Sequence, residues 1–444
     1  MLNRRTWLFF VLCLIFLVVG CTPTLESSVD STSVPILIFE SYDDELKLIS
    51  TMPLNGTEMR KIAHINRNER YEVSPTGQQM AIYLGSDLRL IHMESGGVTV
   101  LLQDVTMPTV YFGNIDHKFL AWSPDGTKLA ALTGGVTMDS INESAPTDVL
   151  IFDVMTGALL HKYENHSWVN DIAWSNDSTS LAISEFSIPC IFEQTCVEEK
   201  QQQVAVNLTV VTENVDSRWI KAVFQQMAIF TDGMNWRGYP ICDLHWSSSD
   251  RHIMYTDFCE LGSLSTNRSN QYVVDIYATQ ISQPILPEQK GYSRNTYTRF
   301  GQSGQNLVLW VEHIDGRLPQ INSRVFEDTN DQFTLSYEYN SLEIDYTSPA
   351  FFTFSPESDP IYAMLSTRDG PSFLFNITSS DLETSSIEIG NISPNGLWVG
   401  DAFLSQRNDE IISINFARGD WSVVQENIPE GFKAVGWYYT EAKP

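Results

Sequence analysis

The stretch Phe119-Leu-Ala-Trp122-Ser123-Pro124-Asp125-Gly126-Thr-Lys-Leu-Ala-Ala-Leu132 decides the fold. An apolar run ends in an aromatic residue, a Ser-Pro-Asp-Gly turn reverses the chain, and a second apolar run begins. Proline presets φ for such a turn, and glycine accepts the backbone angles that other residues avoid. The segment therefore reads as strand, tight turn, strand. Related segments lie on both sides. Tyr71-Glu-Val-Ser74-Pro75-Thr-Gly77 leads into Met80-Ala-Ile-Tyr, and Ile172-Ala-Trp174-Ser175-Asn176-Asp177 leads into Leu181-Ala-Ile. Weaker copies surround Trp246-Ser247, Phe300-Gly301, Phe354-Ser355-Pro356 and Ser393-Pro394.

Taken at the proline position, the markers fall at 75, 124, 176, 248, 302, 356 and 394. Most gaps are close to fifty residues, the length of four short strands with their turns. A four-stranded sheet of this kind cannot bury both faces alone, so successive units must stack. The expected architecture is all-β, a single β-propeller of four-stranded blades. Eight blades are favoured, and seven remain open if the 302 or 394 unit is not a true blade. Phe432-Lys-Ala-Val-Gly436-Trp437-Tyr438 resembles the strand before each turn, yet few residues follow it. Pro35–Glu40, Glu45–Ser50 and Arg60–Ile65 supply what would be the next three strands. Pairing the N- and C-terminal strands would close the ring and leave no open sheet edge.

These units resemble the WD40-like PD40 repeats of TolB-type propellers. The likeness is most specific at Trp122, Ser123, Pro124, Asp125 and Gly126. It implies a propeller, but TolB-type proteins carry an additional N-terminal α/β domain and six blades, so their partners do not transfer. The aromatic residues at 122, 174, 246, 300 and 354 recur once per unit beside the turn, a spacing that suits packing between blades better than a ligand-stacking ladder.

The N-terminal segment reads as an address. Arg4 and Arg5 precede an apolar run, Trp7 to Val19, that is short for a membrane span. Val18, Val19, Gly20 and Cys21 follow and resemble a bacterial lipobox, which implies cleavage before Cys21 and acylation of its thiol. Residues 1–20 are then a lipoprotein signal peptide, 21–33 a lipidated tether and 34–444 the propeller. The expected location is the extracytoplasmic side of the cell membrane or outer membrane, held by the lipid anchor.

Composition excludes one class. Without residues 1–20 the chain carries 25 basic against 55 acidic residues. A nucleic-acid partner requires positive surface to displace counterions, so nucleic acid is not expected. No P-loop, dinucleotide fingerprint or nucleophile elbow appears, and no cofactor is expected. No histidine pair has metal-ligand spacing: His161 and His166 flank a turn, and His245 sits within a strand beside Trp246. Asp328-Thr-Asn330-Asp331 resembles the opening of a calcium loop but lacks the glycine and terminal glutamate of an EF-hand, so an acidic hairpin is the better reading and no metal is assigned. Cys190 with Cys196 and Cys242 with Cys259 are disulfide candidates in an exported chain.

Long insertions mark the binding face. Gly134–Thr147, Phe186–Gln202 and Cys259–Asn270 fall between second and third strands, and Gln225–Pro240 falls between blades. Propeller topology brings all four to one face, opposite the tight turns, and function concentrates on such loops. Met227, Phe230, Met234, Trp236, Arg237 and Tyr239 are the binding-loop candidates, because aromatic residues, Met and Arg favour interfaces. The expected function is recognition of a protein, peptide or glycan by an anchored scaffold, with no catalytic residue assigned. The alternatives are a glycan hydrolase or lyase with carboxylates in the central channel, and a structural envelope component.

Overall fold

In the structure, a computed structural model, the described residues are 35–43, 46–54, 58–66, 69–105, 118–134, 147–164, 168–187, 203–212, 220–229, 241–256, 271–277, 283–284, 293–300, 305–313, 320–329, 332–343, 349–354, 362–367, 372–376, 387–390, 396–399, 402–407, 410–415, 420–426, 428 and 433–439. These residues form no helix. Their strands assemble into eight four-stranded antiparallel sheets. Seven of the sheets follow the chain in simple meanders. The first is Tyr71–Val73, Gln79–Leu84, Asp87–His92 and Val98–Leu102, and the second is Leu120–Trp122, Lys128–Gly134, Thr147–Asp153 and Leu159–Tyr163. The eighth sheet is made from both ends of the chain. Lys433–Tyr439 lies beside Pro35–Asp43, which is followed by Leu46–Pro53 and Arg60–Asn66.

The second strands Gln79–Leu84 and Lys128–Gly134 are buried on both faces. Met80, Ala81, Ile82 and Tyr83 are all inaccessible, as are Leu129, Ala130, Ala131 and Leu132. A strand on a one-sided sheet would alternate buried with exposed residues; an unbroken apolar run requires packing above and below. The fourth strands differ. Val98–Leu102 and Leu159–Tyr163 are largely exposed and form a rim. The first strands of neighbouring sheets converge instead: Tyr71–Val73 lies beside Leu120–Trp122, that strand beside Trp168–Trp174, and the last beside Cys242–Trp246. Inner first strands, doubly buried second strands and exposed outer strands together define a β-propeller.

The sheet made from both ends shows how side-chain periodicity directs packing. Successive residues of Pro35–Asp43 point to opposite faces. Ile36 and Ile38 pack with Met80, Ile82, Ile91 and Tyr438, toward the 71–102 sheet. Leu37 and Phe39 pack with Leu404, Ile411 and Ile428, toward the 397–426 sheet. One strand thus joins the apolar layers of the first and last meanders. Residues 35–438 form one compact unit.

Two sets of hydrogen bonds repeat from sheet to sheet. The indole Nε1–H of Trp122 donates to the Glu72 carbonyl at 3.1 Å, that of Trp174 to the Ala121 carbonyl at 3.0 Å, and that of Trp246 to the Ala173 carbonyl at 2.9 Å. Each acceptor lies one residue before the position in the preceding unit that matches the donor. The recurrent tryptophan is therefore a ratchet between blades, as its spacing suggests.

The turns form the second set. The buried hydroxyls of Ser74, Ser123, Ser175 and Ser247 accept from the backbone N–H of the residue five positions on: Gln79 at 3.1 Å, Lys128 at 2.9 Å, Ser180 at 2.9 Å and His252 at 3.1 Å. The fourth turn residue has a left-handed backbone. Gly77 and Gly126 serve there with φ of 69° and 70°, whereas Ser178 and Asp250 adopt 61° and 54°. These two non-glycine residues place a side chain on the preceding turn. Ser178 Oγ accepts from Asp125 N at 3.1 Å, and Asp250 accepts from Asn176 N at 2.7 Å and Asp177 N at 2.9 Å. The strained backbone is thus held by bonds that link adjacent blades.

Two expectations need correction. Met227 does not lie in a loop: it pairs with Ala205 inside the strand Ile220–Ile229, so the connection between sheets begins after Ile229. Gly134 and Thr147 likewise pair with each other, which shortens that insertion at both ends. Asp328 lies in the expected hairpin, where Gln320–Thr329 pairs with Gln332–Glu343, but its side chain is fully buried. His252 Nδ1 lies 2.7 Å from Asp328 Oδ1, and Ser249 N donates to Oδ2 at 3.1 Å. A turn of one unit is thereby joined to the 293–343 sheet.

Candidate functional site

A recess of about 560 Å³ opens where three consecutive first strands begin. Lys433 opens the strand Lys433–Tyr439, Glu69 and Arg70 precede Tyr71–Val73, and Lys118 and Phe119 precede Leu120–Trp122. Glu40, Tyr42 and Lys47 enter from the hairpin between Pro35–Asp43 and Leu46–Pro53. First strands begin, and second strands end, on the face opposite the tight turns. The recess therefore occupies the same face as the connections expected to carry binding.

The fold holds two of its three carboxylates. Glu40, almost wholly buried, accepts from the Tyr71 hydroxyl at 2.6 Å and from the Tyr42 hydroxyl at 3.2 Å. Burial raises the Tyr71 phenol far above its ordinary pKa, and the Glu40 charge adds to the effect, so Tyr71 remains a donor. Glu69 accepts from Asn66 N at 2.6 Å, Asn66 Nδ2 at 3.0 Å and Gly85 N at 3.0 Å, bracing two turns. Glu72 differs. Its side chain is open to water yet enclosed by the recess; the enclosure raises its pKa, and the charge of Lys118 pulls it down again.

The cations are arranged otherwise. Lys47 Nζ lies 5.9 Å from the centre of the Tyr71 ring, and the Arg70 guanidinium 5.6 Å from that of Phe119. Arg70, Lys118 and Lys433 are exposed. Among the described residues, none of Lys47, Arg70, Lys118 and Lys433 forms an ion pair with a carboxylate. The recess thus combines aromatic side chains with cations that form no ion pair among the described residues, an arrangement suited to holding a polar ligand. Acid–base cleavage of a glycosidic bond would require two carboxyl groups free to act on it. Here Glu72 is the single recess carboxyl whose oxygens make no hydrogen bond among the described residues.

The sequence singled out none of these residues. A signal was nevertheless present. Lys118 and Lys433 each stand four residues before a tryptophan of the repeat, Trp122 and Trp437, and Glu69 stands four before Val73 in the intervening unit. Aligning the repeats on that aromatic would have brought the three ionisable positions together. Conversely, Phe230, Met234, Trp236, Arg237 and Tyr239 lie outside the described residues, as do Val18, Val19, Gly20, Cys21, Cys190, Cys196, Cys259, Asn330 and Asp331. Cys242 begins the strand Cys242–Trp246, and His161 is exposed on Leu159–Tyr163. No cluster of potential metal ligands occurs among the described residues.

No protein-family model matches the chain, and no curated protein matches it. Similar solved structures include a dihydro-heme d1 dehydrogenase, NirN, at 13% identity and a TM-score of 0.46, covering 90% of this chain and 75% of that one. The β-propeller domain of the trilobed protease of Pyrococcus furiosus is similar at 12% identity and a TM-score of 0.39, covering 76% and 88%. The tricorn protease is similar at 11% identity and a TM-score of 0.42, covering 90% of this chain and 43% of that one. Likeness this distant says nothing about activity, and the architecture stands on the sheets themselves: this is an all-β propeller protein.

Proposed function

We propose that this chain is a membrane-anchored, extracytoplasmic binding lipoprotein. Its propeller is a ring of eight blades closed by pairing the two ends of the chain. Its ligand enters the recess bounded by Tyr71, Lys118 and Lys433. The observation that carries this reading is the recess itself, which is open to water and lined by four cations that form no ion pair among the described residues. The closed ring is supported by the strand Pro35–Asp43, whose two faces pack toward the first and last meanders. The anchor is supported by the order of Arg4, Arg5, the apolar run and Val18-Val19-Gly20-Cys21. The strands Ile220–Ile229 and Cys242–Trp246, which flank residues 230–240 in sequence, end and begin on the recess side. Phe230, Trp236 and Tyr239 would then contact a protein, peptide or glycan partner.

The function test is a thermal-shift screen of glycan fragments, peptides and small organic acids. A true ligand at one hundred times its Kd stabilises the protein by ~2.7 kcal/mol. Substituting Lys118 or Lys433, both exposed, should abolish that shift while leaving the unliganded melting temperature near its original value. A ligand whose effect survives both substitutions would place binding elsewhere. Metabolic labelling with a fatty-acid analogue tests the anchor: label should appear in the wild type and vanish in Cys21→Ser.

A further inference from the structure

We infer that the recess selects an anionic ligand presenting a carboxylate or phosphate group, an inference that rests on the recess being the ligand site. The reasoning is a count of donors and acceptors. Both Glu40 oxygens are occupied by tyrosine hydroxyls, and both Glu69 oxygens by N–H donors. The acceptors of the recess are thus largely satisfied. Its donors are not, since Lys47, Arg70, Lys118 and Lys433 have no ion-pair partner among the described residues. A ligand completing these contacts must be rich in acceptors and negatively charged.

The local charge also contrasts with that of the chain. Acidic residues outnumber basic ones by 55 to 27 overall, yet four cations and three carboxylates line this recess. A random sample of the surface would be acidic, so the recess inverts the background. Concave walls strengthen such a field, because they focus it and limit screening by water. Tyr71, partly exposed in the wall of the recess, offers aromatic surface next to Lys47, which suits a sugar ring bearing the anionic group.

Titration calorimetry with four matched probes tests the inference: glucose, glucosamine, glucuronate and glucose 6-phosphate. Glucuronate or glucose 6-phosphate should bind about tenfold or more tightly than glucose, and which of the two is tighter separates carboxylate from phosphate recognition. That preference should shrink as salt rises from ~0.05 to ~0.5 M, where the screening length falls to a few ångströms. Lys118→Glu/Lys433→Glu should remove it, and Lys118→Ala/Lys433→Ala should reduce it, with melting temperatures held near wild type because both side chains are exposed. Equal binding of glucose and its charged relatives, with both variants silent, overturns the anionic preference and leaves the recess as a site. Glucosamine binding tightest overturns it with reversed sign. No binding by any probe overturns the recess as a site and this inference with it.

Discussion

Replacing Trp174 by Phe removes one hydrogen-bond donor from the junction between two sheets and leaves an aromatic ring in place. The indole N–H donates to the Ala121 carbonyl at 3.0 Å, and Trp174 is 7% exposed. A neutral hydrogen bond contributes about 1 kcal/mol net, and stranding its buried partner adds on the order of another. The smaller ring leaves a gap where the indole packed with the Leu129–Leu132 layer, which costs about 1 kcal/mol more if neighbours collapse only in part. The Lys128 ammonium, 5.7 Å from the ring centre, keeps an aromatic face, so little is lost there. The expected total is about 2–4 kcal/mol, or roughly 2–5 °C in Tm for a unit of this size. Differential scanning calorimetry measures it. Trp122→Phe and Trp246→Phe should fall in the same range, because their indoles donate to the matching carbonyls of the preceding units. Met155→Ala, at an 86% exposed site, serves as the control and should stay within about 0.5 kcal/mol. Tryptophan variants no more disruptive than that control would refute the repeated inter-blade bond.

Two further outcomes follow from the turns and the strand ends. Gly77→Ala should destabilise by several kcal/mol, on the order of 3 or more, since its φ is 69° and an added Cβ would run into the Trp437 carbonyl; chemical denaturation with no loss relative to wild type would show that this turn does not abut the C-terminal strand. Asp328→Asn should blunt the acid sensitivity of folding. Burial disfavours the Asp328 carboxylate, but hydrogen bonds from His252 and from Ser249 and Ser247 outweigh it and hold the pKa below its ordinary value. A depressed folded pKa gives stability that is fully present above the unfolded value, ~3.9, and lost as pH falls through the folded one. The wild-type advantage over Asp328→Asn should therefore persist down to about pH 4 and shrink below it; melting temperatures that differ by a constant amount at every pH would contradict the linkage.

The repeat was legible because it is written in local chemistry. Pro124 and Gly126 fix a turn whatever surrounds them, and Trp122 ends its strand at a regular spacing. The weaker copies kept the turn while losing the glycine, because Ser178 and Asp250 carry the left-handed backbone and compensate with bonds to the neighbouring turn. That exchange is tertiary and leaves no pattern along the chain. The same holds for Asp328, whose partner His252 lies 76 residues away. An acid beside Asn330 and Asp331 looks solvated until a distant turn is brought against it. Met227 was misplaced because polar Gln225 and Gln226 interrupt the apolar pattern of a strand whose pairing with Gln203–Thr212 runs on to Ile229. The recess was missed for a related reason. Glu40, Tyr71 and Lys433 lie on three strands and Lys118 just before a fourth, and only the pairing of the chain's two ends brings Lys433 alongside the others.

That pairing is open to direct measurement by amide hydrogen exchange on the full-length protein, comparing Lys433–Tyr439 and Pro35–Asp43 with the central strand Lys128–Gly134. A closed ring predicts slow exchange at both end strands, comparable to the central strand, and a marked loss of protection in Pro35–Asp43 when Gly436→Glu wedges them apart. Rapid exchange across Lys433–Tyr439 in the wild-type protein, with Lys128–Gly134 still protected, would contradict it.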